Sequence, residues 1–341
     1  MMPWTVDWAV FIDGRNMTSA MRPYLLQISV TDKDGTASDS CSLSLDDTGG
    51  QLKLPGEGAS VKVFLQGVAV FDGTIDSVRS SGSRGGGREL AVTAKGFDTK
   101  GKAKQLQSHH MDEASLSDFL GKAAEKAGLA GITIAPAFAA ITRSYWSADA
   151  ESFLHLGQKL ARELGGTFKI RGDQAVLAER GEGASPAGGA LPTIAGTIGK
   201  NVISWDISPV TGRAKFKKAK ARYFDRKSAT FRQIEVDTDF DAEAEDEART
   251  VAADEGQASD IAKGKQAASK RGGGEGSVEL DLEPEAQAEG TFVLGGARPG
   301  VDGVYRITGV THRCDRSGGS TTSLELKQPQ GGAGSDNRGS G

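Results

Sequence analysis

The stretch 71-FDGTIDSVRSSGSRGGGRELAVTAKG-96 decides the fold, because 304-VYRITGVTHRCDRSGGSTTSLELK-327 repeats its design near the other end of the 341-residue chain. Each begins with a run of alternating apolar and polar residues. Each then crosses a polar Gly/Ser/Arg loop and returns in a second alternating run. Alternation sends successive side chains to opposite faces of a strand, so each stretch reads as an antiparallel hairpin with one buried face.

Outward from the first hairpin, residues 1–103 read as strand after strand. "WAVFIDG" (8–14) ends at Asp13-Gly14 and "LLQISVTDKDG" (25–35) at Asp34-Gly35, dipeptides suited to tight turns. In "SCSLSLDD" (40–47), Cys41, Leu43 and Leu45 share one face and Ser42 and Ser44 the other. "ASVKVFLQG" (59–67) and "VAVFDGTIDSV" (68–78) continue the pattern and "RELAVTAKG" (88–96) closes it. About seven short strands punctuated by Gly, Asp and Ser predict a small antiparallel barrel or sandwich.

The period then changes. "SLSDFLGKAAEKAG" (115–128) opens with Ser115 and carries Asp118 three residues on, as a capping box does, with Leu116, Phe119, Leu120, Ala123 and Ala127 at helical spacing. A short strand "ITIAP" (132–136) follows. "SADAESFLHLGQKLARELGG" (147–166) repeats the helical logic, with Phe153, Leu156, Leu160 and Leu164 on one side and Gly165-Gly166 as the stop. "TFKIRGDQAVLAER" (167–180) is a hairpin turning at Gly172-Asp173. Residues 104–182 are thus expected to form a small α+β domain with two helices and a hairpin, and 183–196 a linker, overlapping the Gly/Ala/Pro-rich run 181–192. Strands resume over 197–327 as a second β-barrel. Inside it, 215–236 is basic and reads as a solvated strand face. The acidic stretch 239-DFDAEAEDEARTVAADEG-256 is expected as a mobile insertion, and a short helix is expected from Ala258 to the glycines at 272–274. The tail 328–341 is expected to be disordered. The fold class is mainly β (α+β): two antiparallel β-barrel domains with a small α+β domain between them.

Net charge is −4 and the pI about 5.7, so no basic face for nucleic acid is implied. Two cysteines, Cys41 and Cys314, imply no disulfide framework and read as buried thiols. The start lacks the basic-then-apolar layout of a signal peptide, which leaves the Asn16-Met17-Thr18 sequon without meaning, and no apolar run approaches the ~18 residues of a membrane span.

No catalytic, cofactor-binding or metal residue is assigned. His109 and His110 are adjacent, so their side chains diverge, and no ligand is spaced to complete a metal site; a polar surface loop is expected there. His155 lies beside the apolar stripe of its helix. His312 and Cys314 share a strand face without a group to orient a base. Asp46-Asp47 are neighbours and cannot flank a glycosidic bond, so they read as a turn. "GTIGKN" (196–201) lacks the first glycine and the Ser/Thr of a phosphate loop, and "SRGGGREL" (83–90) opens no helix. The absence of a catalytic constellation favours a structural or assembly protein.

Several blocks now align in one order: "LLQISVTDKDGTASDSCSLSLDDTGGQLKLPGEGASVKVFL" (25–65), "SADAESFLHLGQKLARELGGTFKIRGDQAVLAE" (147–179) and "YRITGVTHRCDRSGGSTTSLELK" (305–327). Their order and spacing resemble the late control D family of baseplate hub proteins of contractile-tailed bacteriophages, a gp27-like family related to the hub module of type VI secretion spike proteins. The resemblance spans about residues 8–327; the acidic stretch 239–256 exceeds the family pattern. It implies two tail-tube-like barrels per chain and a homotrimer whose six barrels adapt a six-fold tail tube to a three-fold spike.

The implied partners are the tail tube protein, the central spike protein, other baseplate proteins and, as a further candidate, the tape measure protein. DNA passes through the channel without specific binding, and no cofactor is implied. The implied place is the virion tail baseplate, assembled in the host bacterial cytoplasm. The chain ends after the second barrel, so the spike is expected on a separate polypeptide. The alternatives are a type VI secretion-like spike hub and a tail-associated cell-wall hydrolase. A transcription regulator is disfavoured, since no helix-turn-helix is legible.

Overall fold

The computed structural model describes residues 6–98, 100–180, 191–210, 215–238, 240, 242–336 and 338. The first β-unit contains β1 (Trp8–Ile12), β2 (Arg15–Asn16), the short helix α1 (Thr18–Met21), β3 (Leu25–Lys33), β4 (Ser40–Asp46), β5 (Ser60–Leu65), β6 (Val68–Ser83) and β7 (Gly87–Lys95). The middle unit follows with β8 (Leu106–Ser115), α2 (Leu116–Lys126), β9 (Gly131–Ile134), α3 (Pro136–Ala139), β10 (Thr142–Ser152), α4 (Phe153–Leu164), β11 (Gly166–Arg171) and β12 (Gln174–Glu179). The rest comprises β13 (Thr193–Thr197), β14 (Val202–Ser208), β15 (Lys218–Asp225), β16 (Thr230–Asp237), β17 (Glu245–Glu247), α5 (Glu255–Arg271), β18 (Glu275–Asp281), β19 (Thr291–Gly295), β20 (Gly303–Asp315) and β21 (Gly319–Gln330). The chain is mainly β.

The two quoted stretches are hairpins of the same register. β6 and β7 pair through Ile75↔Ala94, skip Asp76, and resume at Ser77↔Thr93. β20 and β21 pair through Ile307↔Leu326, skip Thr308, and resume at Gly309↔Glu325. Even the bulge falls at the equivalent place, and both turns are three residues long, 84–86 and 316–318. The correspondence extends outward. β4 and β18 are seven residues each and pair along β7 and β21 in the same way. β3 and β14 follow, again with matching bulges at Leu26 and Ile203. On the other side β5 and β19 flank β6 and β20. The copies diverge at the next strand, where β1 runs antiparallel to β5 and β13 parallel to β19.

Alternation supplies each unit's core. Along β4 the serines lie outward and Cys41, Leu43 and Leu45 are buried. They join Trp8, Val10, Ile28, Val63 and Ile75 in one cluster. The second unit builds its own from Ile194, Val278, Leu280, Phe292, Leu294, Tyr305, Ile307 and Leu324.

In the middle unit Ser115 caps α2, its Oγ accepting from the Asp118 N–H at 3.1 Å, and Leu116, Phe119, Leu120 and Ala123 are buried. α4 starts at Phe153, the first residue of its predicted apolar stripe, but the quoted segment before it is not helical. Residues 147–151 belong to β10, which pairs with β8, and Ser152 is the cap that accepts from the His155 N–H. Gly165 ends α4 at φ +72°, a left-handed conformation that glycine adopts without a Cβ clash.

Three expectations need correction. The proposed linker 183–196 lies outside the described residues at 183–190, but Thr193–Thr197 is strand β13, held in register by β19. The acidic insertion near 239–256 is not free over its described part from 245 onward. Glu245–Glu247 forms β17 beside the basic strand β15, Lys220 pairs with Glu245 at 2.5 Å and Arg222 with Glu247 at 2.6 Å, and Ala248 and Ala252 are buried. Opposite charges on adjacent strands attract and offset the cost of ordering a weakly apolar segment. β15–β17 and α5 therefore form a separate layer with its own small alanine-rich core, inserted between β14 and β18, rather than part of a second barrel running unbroken over 197–327. Finally, the tail expected to be disordered from 328 continues β21 to Gln330, and Ala333 is buried against the second unit's core.

α5 begins at its cap Asp254, whose carboxylate accepts from the Gln257 N–H at 2.8 Å. It docks on α4 at Gly264, where a Cβ would lie 2.5 Å from the Glu163 carbonyl oxygen. Arg143 fastens the contact, bonding Glu163 at 2.6 Å and Asp260 at 2.9 Å. Among the described residues no helix is long and apolar enough to cross a membrane.

Candidate functional site

The two β-units meet along one seam, made by a strand long enough to serve two neighbours. Gly303–Arg306 of β20 pairs with β19, and Gly309–Asp315 pairs with β3 of the first unit. The units therefore share one continuous sheet. At the seam Cys314 stands opposite Ile28 and His312 opposite Val30, and all four are buried. Cys314 thus completes the core of the first unit although it belongs to the second. The Thr31 and Thr311 hydroxyls, 3.3 Å apart, add a cross-strand hydrogen bond.

The seam's ionisable groups are held by burial. Burial pushes the Cys41 thiol up to about 12 and raises Cys314, so both stay protonated and serve packing. His312 is pushed down to about 4 by burial and is neutral at pH 7. Its Nδ1 lies 3.0 Å from the Thr322 hydroxyl, and the Ala286 backbone opposes part of the shift. The His312–Cys314 pair is therefore brought to one face, but its contacts are those of a core.

Beside the seam the middle unit plugs in its β11–β12 hairpin. The Ile170 N–H donates to the Ala37 carbonyl and the Gly172 N–H to the Gly96 carbonyl, both at 2.8 Å. Lys169 inserts between Asp32 and Asp39, 2.8 Å from the latter, and Arg171 bonds Asp39 at 2.9 Å. Burial pushes Lys169 down to about 7 and raises Asp39, with Arg171 opposing the latter shift. From the second unit the Ala288 N–H donates to Asp32 at 3.0 Å, and Arg306 bonds Asp34 at 2.8 Å and Glu289 at 2.5 Å. Three units thus converge on one charged joint. The sequence carried a signal for it in the charges of "TDKD" (31–34) and "KIR" (169–171), but nothing paired them.

The other residues singled out in sequence lie apart. His109 and His110 fall on strand β8, not on a loop, because β10 pairs with it. The His109 ring lies 5.0 Å from Phe119, and burial with Lys126 and Lys122 nearby lowers its pKa, while the exposed His110 stacks on Tyr145. His155 is exposed in the first turn of α4, its Nδ1 3.8 Å from Glu151. Asp46 accepts from the Thr48 N–H and hydroxyl, bonds that lower its pKa, and Asp47 accepts from the Leu52 N–H, so both hold the turn after β4. In "GTIGKN" the Asn201 amide closes the turn onto Ala195 and Thr197, and "SRGGG" is the β6–β7 turn. Among the described residues no group of three or more His, Cys, Asp or Glu side chains is placed to hold a metal ion.

No family model matches the chain. It is 25% identical over 195 residues to the probable baseplate hub protein of Escherichia phage P2, matching 56% of this chain and 49% of that one. It is 24% identical over 186 residues to that of Escherichia phage 186, matching 53% and 47%. The match thus spans about half the length of these curated relatives. Among solved structures, the 43 kDa tail protein of prophage MuSo2 from Shewanella oneidensis aligns with TM-score 0.71 at 13% identity, covering 94% of this chain and 98% of that one. A tail protein of Neisseria meningitidis MC58 aligns with TM-score 0.68 at 17% identity, covering 94% and 96%. A component of the E. coli type VI secretion system, described as similar to the T4 tail proteins gp27 and gp5, aligns with TM-score 0.59 at 11% identity, covering 96% and 79%. By sequence the chain is a relative of phage baseplate hub proteins, and its fold is that of phage tail proteins.

Proposed function

We propose that this chain is the trimeric hub of a contractile phage tail or tail-like particle, adapting a six-fold tail tube to a three-fold central spike. The observation that carries this reading is the pair of β-units with one strand order and one register, joined head to tail. Two similar units per chain, times three chains, present six repeats on one side while the chains repeat three-fold on the other. The work is mechanical and not enzymatic: the ring supports tube assembly and leaves a channel for DNA. Its partners are the tail tube protein, the spike and other baseplate proteins, with the tape measure protein as a further candidate. It acts in the virion baseplate after assembly in the host cytoplasm.

Light scattering behind a sizing column tests this. A mass of three times 35.5 kDa with rings in negative stain is expected. A monomer that stays monomeric with its spike and cleaves peptidoglycan would move the reading to a cell-wall hydrolase. The fold shared with the type VI component favours one second reading, a secretion-type spike hub. Association with a tube and spike that load effectors rather than DNA would distinguish it.

A further inference from the structure

Each β-unit has two edges that its own strands do not cover. One is the far half of its long strand, beyond the point where β5 or β19 stops pairing. The other is the outer edge of β3 or β14. Inside the chain, the far half of β20 covers the edge of β3. That leaves residues 79–83 of β6 and 204–208 of β14 without a strand on their outer side among the described residues. Burial follows this division. Ile307–Val310, His312 and Cys314 are buried on β20, whereas residues 79–83 of β6 are exposed. Leu25, Ile28 and Val30 are buried on β3, whereas on β14 Ile203 and Trp205 are 51% and 45% exposed.

We infer that the seam between chains repeats the seam within the chain: residues 79–83 of β6 pair antiparallel with residues 208–204 of β14 in a second copy, with Gly82 opposite Trp205. This deepens the hub reading and rests on it. The register is not free, because the matched bulges equate Cys314 with Gly82 and Ile28 with Trp205. The internal pairs Thr311↔Thr31, Arg313↔Ser29 and Cys314↔Ile28 then become Arg79↔Ser208, Ser81↔Asp206 and Gly82↔Trp205.

The side chains fit that register. The large exposed indole meets a glycine, the arrangement in which an aromatic covers the gap a glycine leaves in a strand. Arg79 lies diagonal to Asp206, so opposite charges are neighbours across the joint. Pro209, where β3 has Asp32, lacks an N–H and ends the ladder after Ser208. The contact is head to tail, since the β6 edge fits the β14 edge and not itself, which generates a ring when the rotation closes.

Cysteine pairs in the full-length chain test the register. Directly opposite residues stand about 4.5–5.5 Å apart, within disulfide reach. Ser81→Cys with Asp206→Cys, under mild oxidation, is expected to give covalent dimers and trimers on a non-reducing gel. Ser83→Cys with Ser208→Cys sets the thiols four residues out of register, roughly 13 Å apart, and is expected to link about tenfold less. Light scattering of the unmodified protein separates the two claims. A trimer in which the first pair shows no preference overturns this seam and leaves the hub reading standing. A protein that stays at 35.5 kDa and links neither pair overturns the seam and the self-assembled ring together.

Discussion

β3 and β14 carry the same bulge and the same register against their neighbours, yet β3 is buried and β14 stands half open. The difference is not in the period of the pattern. It lies in what covers each edge: β20 for β3, and for β14 no strand among the described residues, only a single bridge at Val202. A bare strand edge exposes unpaired N–H and C=O groups and invites another strand. The composition of the two edges has diverged accordingly. The covered one carries Cys314, His312 and a buried ion cluster, and the open one carries Gly82, Ser80 and Trp205.

The largest expected effect breaks the covered side alone. Lys169→Met leaves the buried Asp32 and Asp39 with less positive charge, and removing one partner of a buried pair costs roughly 3–5 kcal/mol. Proline stands where the second unit would hold Asp32, so that side has no counterpart to lose. Urea denaturation reads the loss, and limited proteolysis is expected to release the middle unit. A loss below about 1 kcal/mol, the size of a surface ion pair, would mean the cluster is as weak as one.

Next, Ile28→Ala and Trp205→Ala compare equivalent positions directly. The first empties a closed core and is expected to cost about 2–4 kcal/mol. The second is expected to cost the isolated chain less than about 1 kcal/mol, as for a surface position, while weakening self-association. Equal losses in monomer stability would refute the contrast.

A pH titration sharpens it further. His312 is held at about 4, below its ordinary 6.5, so the unfolded chain binds more protons between those values. The stability it contributes is complete above about 6.5 and is lost as pH falls towards 4, by up to roughly 3 kcal/mol. Its counterpart Ser80 does not titrate. His312→Gln is expected to flatten that slope, and an unchanged slope would assign it to the carboxylates.

The smallest effect concerns the inserted layer. Arg222 and Glu247 are each about half exposed, and Glu247→Gln is expected to cost less than about 1 kcal/mol. Gly264→Ala, by contrast, meets the Glu163 backbone and is expected to shift α5 off α4, read as faster exchange of α5 amides.

Strand existence, the two capped helices and the paired hairpins were legible in the sequence, because period and turn residues act over a few positions. That residues 147–151 form strand and not helix was not, since only pairing with β8 decides it. The ordering of 245–256 was missed for a similar reason. Its charges were read against solvent, whereas the basic strand that neutralises them lies earlier in the chain. The charged joint was invisible as a site because Asp32, Lys169 and Arg306 are brought together from three units.

By itself, the sequence determined that two β-units of one design flank a small α+β unit, for alternation and turn chemistry are local. Only the tertiary structure decided that β20 crosses into the first unit, that its cysteine completes a core it does not belong to, and that one edge of each kind is left open. Backbone hydrogen bonds between strands carry no sequence label, so the partner of an edge is fixed by geometry and by what reaches it first.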